Sequence, residues 1–212
     1  VMALTRLGLN QSINLASNTT GTLGVANGGT GLTSGTTDQF LKFTGSTTLA
    51  SATGGGITEA DTWRITSQFS GDAAPITANW ERDDTDGNGY IGSGMSQSSG
   101  VFTFPSTGFY RVTFYHQFSG MTTGPGTSSN YVQQEIQYTA NNSSYNDATE
   151  VWGSIFQNGA YTMTVSSKIF DITDTSNQKV RFSTTSADNS IYTQGNTGKN
   201  MTYATFVKLG ET

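Results

Sequence analysis

The chain has 212 residues with 10 basic and 15 acidic side chains, so its net charge of −5 rests on only 12% charged residues, against roughly 25% in ordinary globular proteins. Uncharged polar residues fill the gap: 36 Thr, 26 Gly, 24 Ser and 15 Asn. With 12 Phe, 9 Tyr and 3 Trp, it is not a charge-expanded disordered chain. So few Lys and Arg cannot neutralise a run of phosphates, which argues against nucleic-acid binding. The absence of Cys removes disulfide scaffolds, thiolate metal sites and thiol nucleophiles.

Composition changes along the chain. All but one of the Leu lie between Leu4 and Leu49, whereas all aromatics except Phe40 and Phe43 follow Gly56. The run Gly54-Gly55-Gly56 reads as a joint, which sets a boundary between residues 1–56 and 57–212. The first segment has no helical or heptad period, and Asp38 is its sole acid beside Arg6 and Lys42. It cannot bury enough surface to offset an ordering entropy of about 1–2 kcal/mol per residue. An extended, irregular strap is expected, ordered by other copies or by a partner. No apolar run reaches the roughly 20 residues that span a bilayer, so membrane insertion is not expected.

From residue 57 onward, strands are expected at short intervals, starting with 62–70, 76–82, 89–96 and 100–104. In the next, Tyr110, Val112, Phe114 and Phe118 share one face, with Arg111, Thr113 and Gln117 on the other. Val132, Ile136 and Tyr138 then alternate with Gln133, Glu135 and Gln137. Further strands fall at 150–157, 160–171, 178–186 and 189–194. Met201, Tyr203, Val207 and Leu209 repeat the alternation at the end. About ten strands without a helical pattern point to an antiparallel sandwich.

Several groups could carry chemistry. Asp84, Asp86 and Asn88 match the first half of a calcium-loop pattern, in which alternate oxygen side chains converge. The twelfth position is Met95 instead of a bidentate Glu, which rejects an EF-hand and leaves either another kind of calcium loop or a polar turn. Paired carboxylates could serve a glycosidase, but Asp83, Asp84 and Asp86 sit in a turn-like segment, and Glu135 and Glu150 have no sequence-fixed relation to them. Trp63, Trp80 and Trp152, with Tyr131, Tyr138, Tyr145, Tyr161 and Tyr192, include candidate platforms for sugar stacking. Of these, Trp152, Tyr145 and Tyr131 are taken as receptor-binding candidates, and the polar tips 120–130 and 141–149 as the loops that reach a receptor. His116, the single histidine, lies between Tyr115 and Gln117 with no partner for a triad, so no catalytic role is expected.

The stretch Gly100-Val-Phe-Thr-Phe-Pro-Ser-Thr-Gly-Phe-Tyr-Arg-Val-Thr-Phe-Tyr115 resembles the signature of the C1q/TNF-like jelly-roll domain. Phe102, Gly108, Tyr110 and Phe114 match at the family's spacing, and Val112 departs from its usual Phe. Tyr203-Ala-Thr-Phe206-Val-Lys-Leu209 resembles the final strand of that fold. The resemblance implies a homotrimer. His116 itself reads as a sheet residue, a place on the three-fold axis being one option for it. The earlier stretch Val25-Ala-Asn-Gly-Gly-Thr-Gly-Leu-Thr-Ser34 with Thr37-Asp-Gln-Phe-Leu-Lys-Phe-Thr-Gly45 resembles a glycine-threonine module of bacteriophage tail fibres. Together these imply a non-enzymatic fibre or appendage of a virion assembled in the host cytoplasm. Residues 1–56 would attach to other virion proteins, and 57–212 would form a head that binds a host-surface glycan or protein. The alternatives are a capsid or tail decoration without a ligand, and a polysaccharide depolymerase tip.

Overall fold

This computed structural model describes residues 30, 32, 35–46, 48–52, 54–120, 131–155 and 159–212. The chain divides into two units, Val1–Gly56 and Ile57–Thr212. In the first, β1 (Phe40–Gly45) and β2 (Thr48–Ala52) form an antiparallel ribbon, with Phe40 opposite Ala52 and Phe43 opposite Leu49. This ribbon is the regular element among the described residues of the extended N-terminal segment. Bulky β-favouring residues at 40–43 pair with 49–52 across a short connection. A two-stranded ribbon has no second layer, and Phe40, Leu41 and Phe43 are exposed. The Gly-Gly-Thr-Gly stretch lies largely outside the described residues.

The second unit contains β3 (Ala60–Ile65), β4 (Ser67–Ser70), β5 (Trp80–Arg82), β6 (Ser96–Ser98), β7 (Val101–Thr103), β8 (Gly108–Gly120), β9 (Tyr131–Thr139), β10 (Asn146–Ser154), β11 (Tyr161–Ile172), β12 (Lys179–Ser186), β13 (Ile191–Asn196) and β14 (Tyr203–Gly210). One sheet runs β10-β9-β12-β7-β6. The other runs β4-β13-β8-β14-β3-β5, with β11 on the free side of β8. All pairings are antiparallel, and no helix occurs among the described residues. The unit is an all-β jelly-roll sandwich.

Local chemistry explains where the strands depart from expectation. The run expected at 62–70 breaks at Thr66 because its halves serve different neighbours: β3 pairs with β14 and β5, β4 with β13. The run expected at 89–96 is not a strand. Gly92 and Gly94 have φ of 77° and 68°, and the Glu59 carboxylate accepts from the N–H groups of Ser93 and Gly94 at 2.9 and 3.0 Å. Asp61 likewise accepts from Met95 N at 2.7 Å. These carboxylates hold the backbone in a loop instead of a ladder. In the last strand, the side chains facing the interior are Ala204, Phe206 and Lys208, all buried. Tyr203, Val207 and Leu209 lie on the opposite face, so the expected inward set is reversed. Register decides this, since Ala204 pairs with Phe114 and Phe206 with Val112.

Aromatic side chains fill the core. Phe102 is edge-on to Trp63 and Trp80 at 5.6 and 5.1 Å and also meets Phe182 and Phe206. Tyr110 and Phe114 are buried with it. Gly108 opens β8 with φ of 139°, and a Cβ there would stand 2.3 Å from Lys208 Cε and 2.5 Å from Gly210 O. Only glycine fits both the dihedral and the approach. A second, smaller apolar cluster gathers Phe118, Val132, Ile155 and Ile191. His116, fully buried, lies on the inward face of β8 between Phe114 and Phe118, with ring centroids 5.8 and 5.3 Å away. It faces the sandwich interior, which corrects the option of a place on a three-fold axis. The period-two alternation that buries Phe114 and Phe118 buries residue 116 as well.

Candidate binding face

The outward face of the five-stranded sheet carries a strip of polar and aromatic side chains. Along β9, Val132, Gln134 and Ile136 are buried, so Tyr131, Gln133, Glu135 and Gln137 project outward. The β9–β10 register sets Trp152 opposite Gln133 and Glu150 opposite Glu135. A bulge between Asp147 and Thr149 then brings Asp147 opposite Gln137. Diagonal neighbours Tyr131 and Trp152 meet at 5.0 Å between ring centroids, and Trp152 is 52% exposed. On the other side of β9, Arg181 of β12 pairs with Gln137, and Ser183 with Glu135.

Hydrogen bonds order this strip. Gln133 Nε2 donates to Glu135 Oε1 at 2.7 Å, and Gln137 Nε2 donates to Glu135 Oε2 at 3.0 Å and to Asp147 Oδ1 at 2.8 Å. Trp152 Nε1 donates to Glu150 Oε1. Arg181 Nε donates to Gln137 Oε1 at 2.7 Å, while its guanidinium stands 3.9 Å above the Tyr145 ring. Partial burial, followed by repulsion from Asp147, raises the Glu135 pKa above its ordinary value. Burial also raises that of Tyr145, with the Arg181 charge opposing it.

The three receptor-binding candidates thus share one face: Tyr131 and Trp152 touch, and Tyr145, within the 141–149 tip, packs under Arg181. That tip is pinned by Asn141 Oδ1, which accepts from Thr139 Oγ1, Ser143 N and Ser144 N. The 120–130 tip lies outside the described residues apart from Gly120. Trp63, Trp80 and Tyr138 are withdrawn as platforms, since the first two pack on Phe102 and Tyr138 stacks on Phe170. The carboxylates and carboxamides of the strip escaped the sequence reading as a site. Their signal was the Gln133-x-Glu135-x-Gln137 alternation, which marks an outward row without showing what lies beside it.

At Asp84, Asp86 and Asn88 the chain forms a turn. Asn88 Nδ2 donates to Asp83 at 2.9 Å, while Asp84 and Asp86 are exposed. Asp83 is buried and also takes Arg64 Nη1 and Asn200 Nδ2, both at 2.7 Å. No group of three His, Cys, Asp or Glu side chains among the described residues could hold a metal ion.

The outward face of the other sheet has a different character. Met163, Val165 and Ile169 of β11 are exposed, as are Phe109 of β8 and Leu209 of β14. β11 pairs with β8, and β8 with β14, so these side chains share one surface with Tyr115 and Tyr203, which stack at 4.3 Å. Arg111, Thr113, Gln117 and Asp171 interleave with these apolar side chains on the same face.

The fold is similar to that of murine APRIL crystallised at pH 8.5, with a TM-score of 0.50 and 14% identity over 71% of this chain and 98% of that one. It is similar also to the Eiger TNF of S. frugiperda, with a TM-score of 0.53 and 11% identity over 74% of this chain and 96% of that one. At these identities the likeness is one of fold, a TNF-like jelly roll. No family model matches the chain, and no curated protein matches its sequence.

Proposed function

We propose that the protein is a homotrimeric attachment module: a bacteriophage fibre or appendage whose C-terminal heads assemble through the apolar face and present the Tyr131–Trp152 strip to a host-surface receptor or glycan. The observation that carries this reading is the contrast between the two outward faces of one sandwich. Met163, Val165, Ile169 and Leu209 are each about half exposed, so removing the rest of their surface from water favours association by about half of the roughly 1.5–3 kcal/mol that burying a fully exposed side chain gives. The polar strip is mostly carboxylate and carboxamide, whose hydration opposes burial. Three strips on one particle turn weak individual contacts into avidity, because the second and third contacts are effectively intramolecular. Residues 1–56, with their resemblance to a fibre module and the exposed Phe40, Leu41 and Phe43, are the part suited to other virion proteins.

Light scattering on the full chain tests the assembly, for which a mass near three chains is expected; the mass of a single chain defeats it. Adsorption of the full chain to a panel of bacterial hosts tests the attachment. If no host is bound, a decoration role replaces this reading, and release of reducing sugar from host polysaccharide replaces it with a depolymerase.

A further inference from the structure

Resting on the attachment reading, the strip's donors and acceptors point to a narrower ligand class. We infer that the strip binds an amino sugar with a free, protonated amine, the sugar ring lying against Tyr131 and Trp152 and the ammonium facing Glu150 and Glu135.

The strip sets three carboxylates, Glu135, Asp147 and Glu150, against one cation, Arg181. The indole N–H of Trp152 and both N–H directions of Gln137 are already committed to Glu150, Glu135 and Asp147, and Gln133 gives a further N–H to Glu135. Three carboxylates lie on this face, yet the ion pairs among the described residues are elsewhere, at Arg64, Arg82 and Lys208. Arg181 spends its Nε on Gln137 and its plane on Tyr145. Glu135 and Glu150 stand directly opposite each other, an arrangement of like charge that weakens a ladder unless a cation relieves it.

Ser183 is a second, independent sign of a missing partner. It is 1% exposed, its Oγ has no hydrogen-bond partner, and its pairing with Glu135 places it on this same face. A buried hydroxyl without a partner costs stability. Exposed Trp152 beside half-buried Tyr131 adds what the carboxylates lack, an apolar platform whose π-faces attract ring C–H groups and cations. An ammonium group on a pyranose meets the needs of the carboxylates and the aromatic pair, supplying three donors and one positive charge beside an apolar ring face. A uronic or sialic acid would add negative charge to an acidic strip, and an N-acetylated sugar would offer no charge at all.

Titration calorimetry on the full chain tests this with glucosamine oligosaccharides, their N-acetylated counterparts and oligolysine. The free-amine sugar is expected to bind, and binding to weaken as salt is raised to about 0.5 M. Trp152→Ala and Glu150→Gln should each weaken it by roughly two- to fivefold, with melting temperature unchanged because both side chains are exposed. Saturation should also bring the Glu135 carboxyl, followed by NMR, back toward its ordinary pKa. Equal binding of the N-acetylated sugar, indifference to both variants, or no binding of the amine form overturns the inference. Oligolysine binding as tightly as the sugar also overturns it, in favour of a protein ligand. Host adsorption that persists without competition from glucosamine oligosaccharides refutes the inference while leaving attachment intact, whereas adsorption to no host refutes the attachment reading alone.

Discussion

The burial of His116 predicts that the second unit loses stability in acid. The His116 Nε2 meets Thr193 Oγ1 at 2.9 Å, its Nδ1 has no partner, and its ring lies between Phe114 and Phe118. Burial without an acidic partner lowers its pKa from 6.5 to about 3. Between those values the unfolded chain holds one proton more than the folded one, so stability is fully present above about pH 6.5 and falls with pH by about 1.4 kcal/mol per unit. At about pH 4.5 the loss is about 3 kcal/mol, a large share of a domain's usual 5–15 kcal/mol. Carboxylates as a class ionise across the same pH range, so the measurement is a difference. The double variant His116→Phe with Thr193→Val keeps the aromatic stack and removes both the titrating ring and its hydroxyl partner. Urea denaturation of both proteins at matched concentration, from about pH 7 to about pH 4.5, should show a shallower decline for the variant by about one proton. Equal slopes, or a histidine Cε1–H resonance that titrates near its ordinary value in the folded protein, would refute the reasoning.

Three further outcomes follow from the packing. Phe102→Ala empties the centre of the aromatic cluster and should cost about 3–5 kcal/mol in chemical denaturation. Arg64→Ala leaves Asp83 buried with only two Asn donors, and losing one partner of a buried pair should cost about 3–5 kcal/mol; a smaller cost for Asp83→Asn in the Arg64→Ala background would show the coupling. Val165→Asp with Ile169→Asp places charge on the apolar outward face without touching the core. Light scattering should fall to the mass of one chain while the far-ultraviolet circular dichroism spectrum is unchanged, and an unaltered mass would exclude that face from the assembly.

Much of the fold was legible in the chain. The period-two burial of Tyr110, Val112, Phe114 and Phe118 is a local property of a pleated strand with one wet face, and Gly108 announces a backbone position that no side chain can share. The lack of charge and Cys likewise narrowed the chemistry before any contact was known. Local pattern failed where both faces of a strand are apolar. In β14 the alternation fits either direction, and only pairing with β8 determines that Ala204 and Phe206 turn inward. The same holds for the candidate binding face. Glu135 and Glu150 are far apart in sequence, and Ser183 farther still; their meeting is a matter of register among β9, β10 and β12, which long-range hydrogen-bond ladders and core packing set jointly. The residue types at the strip were therefore the sequence's to supply, while their convergence on one charged, aromatic surface belongs to the tertiary structure.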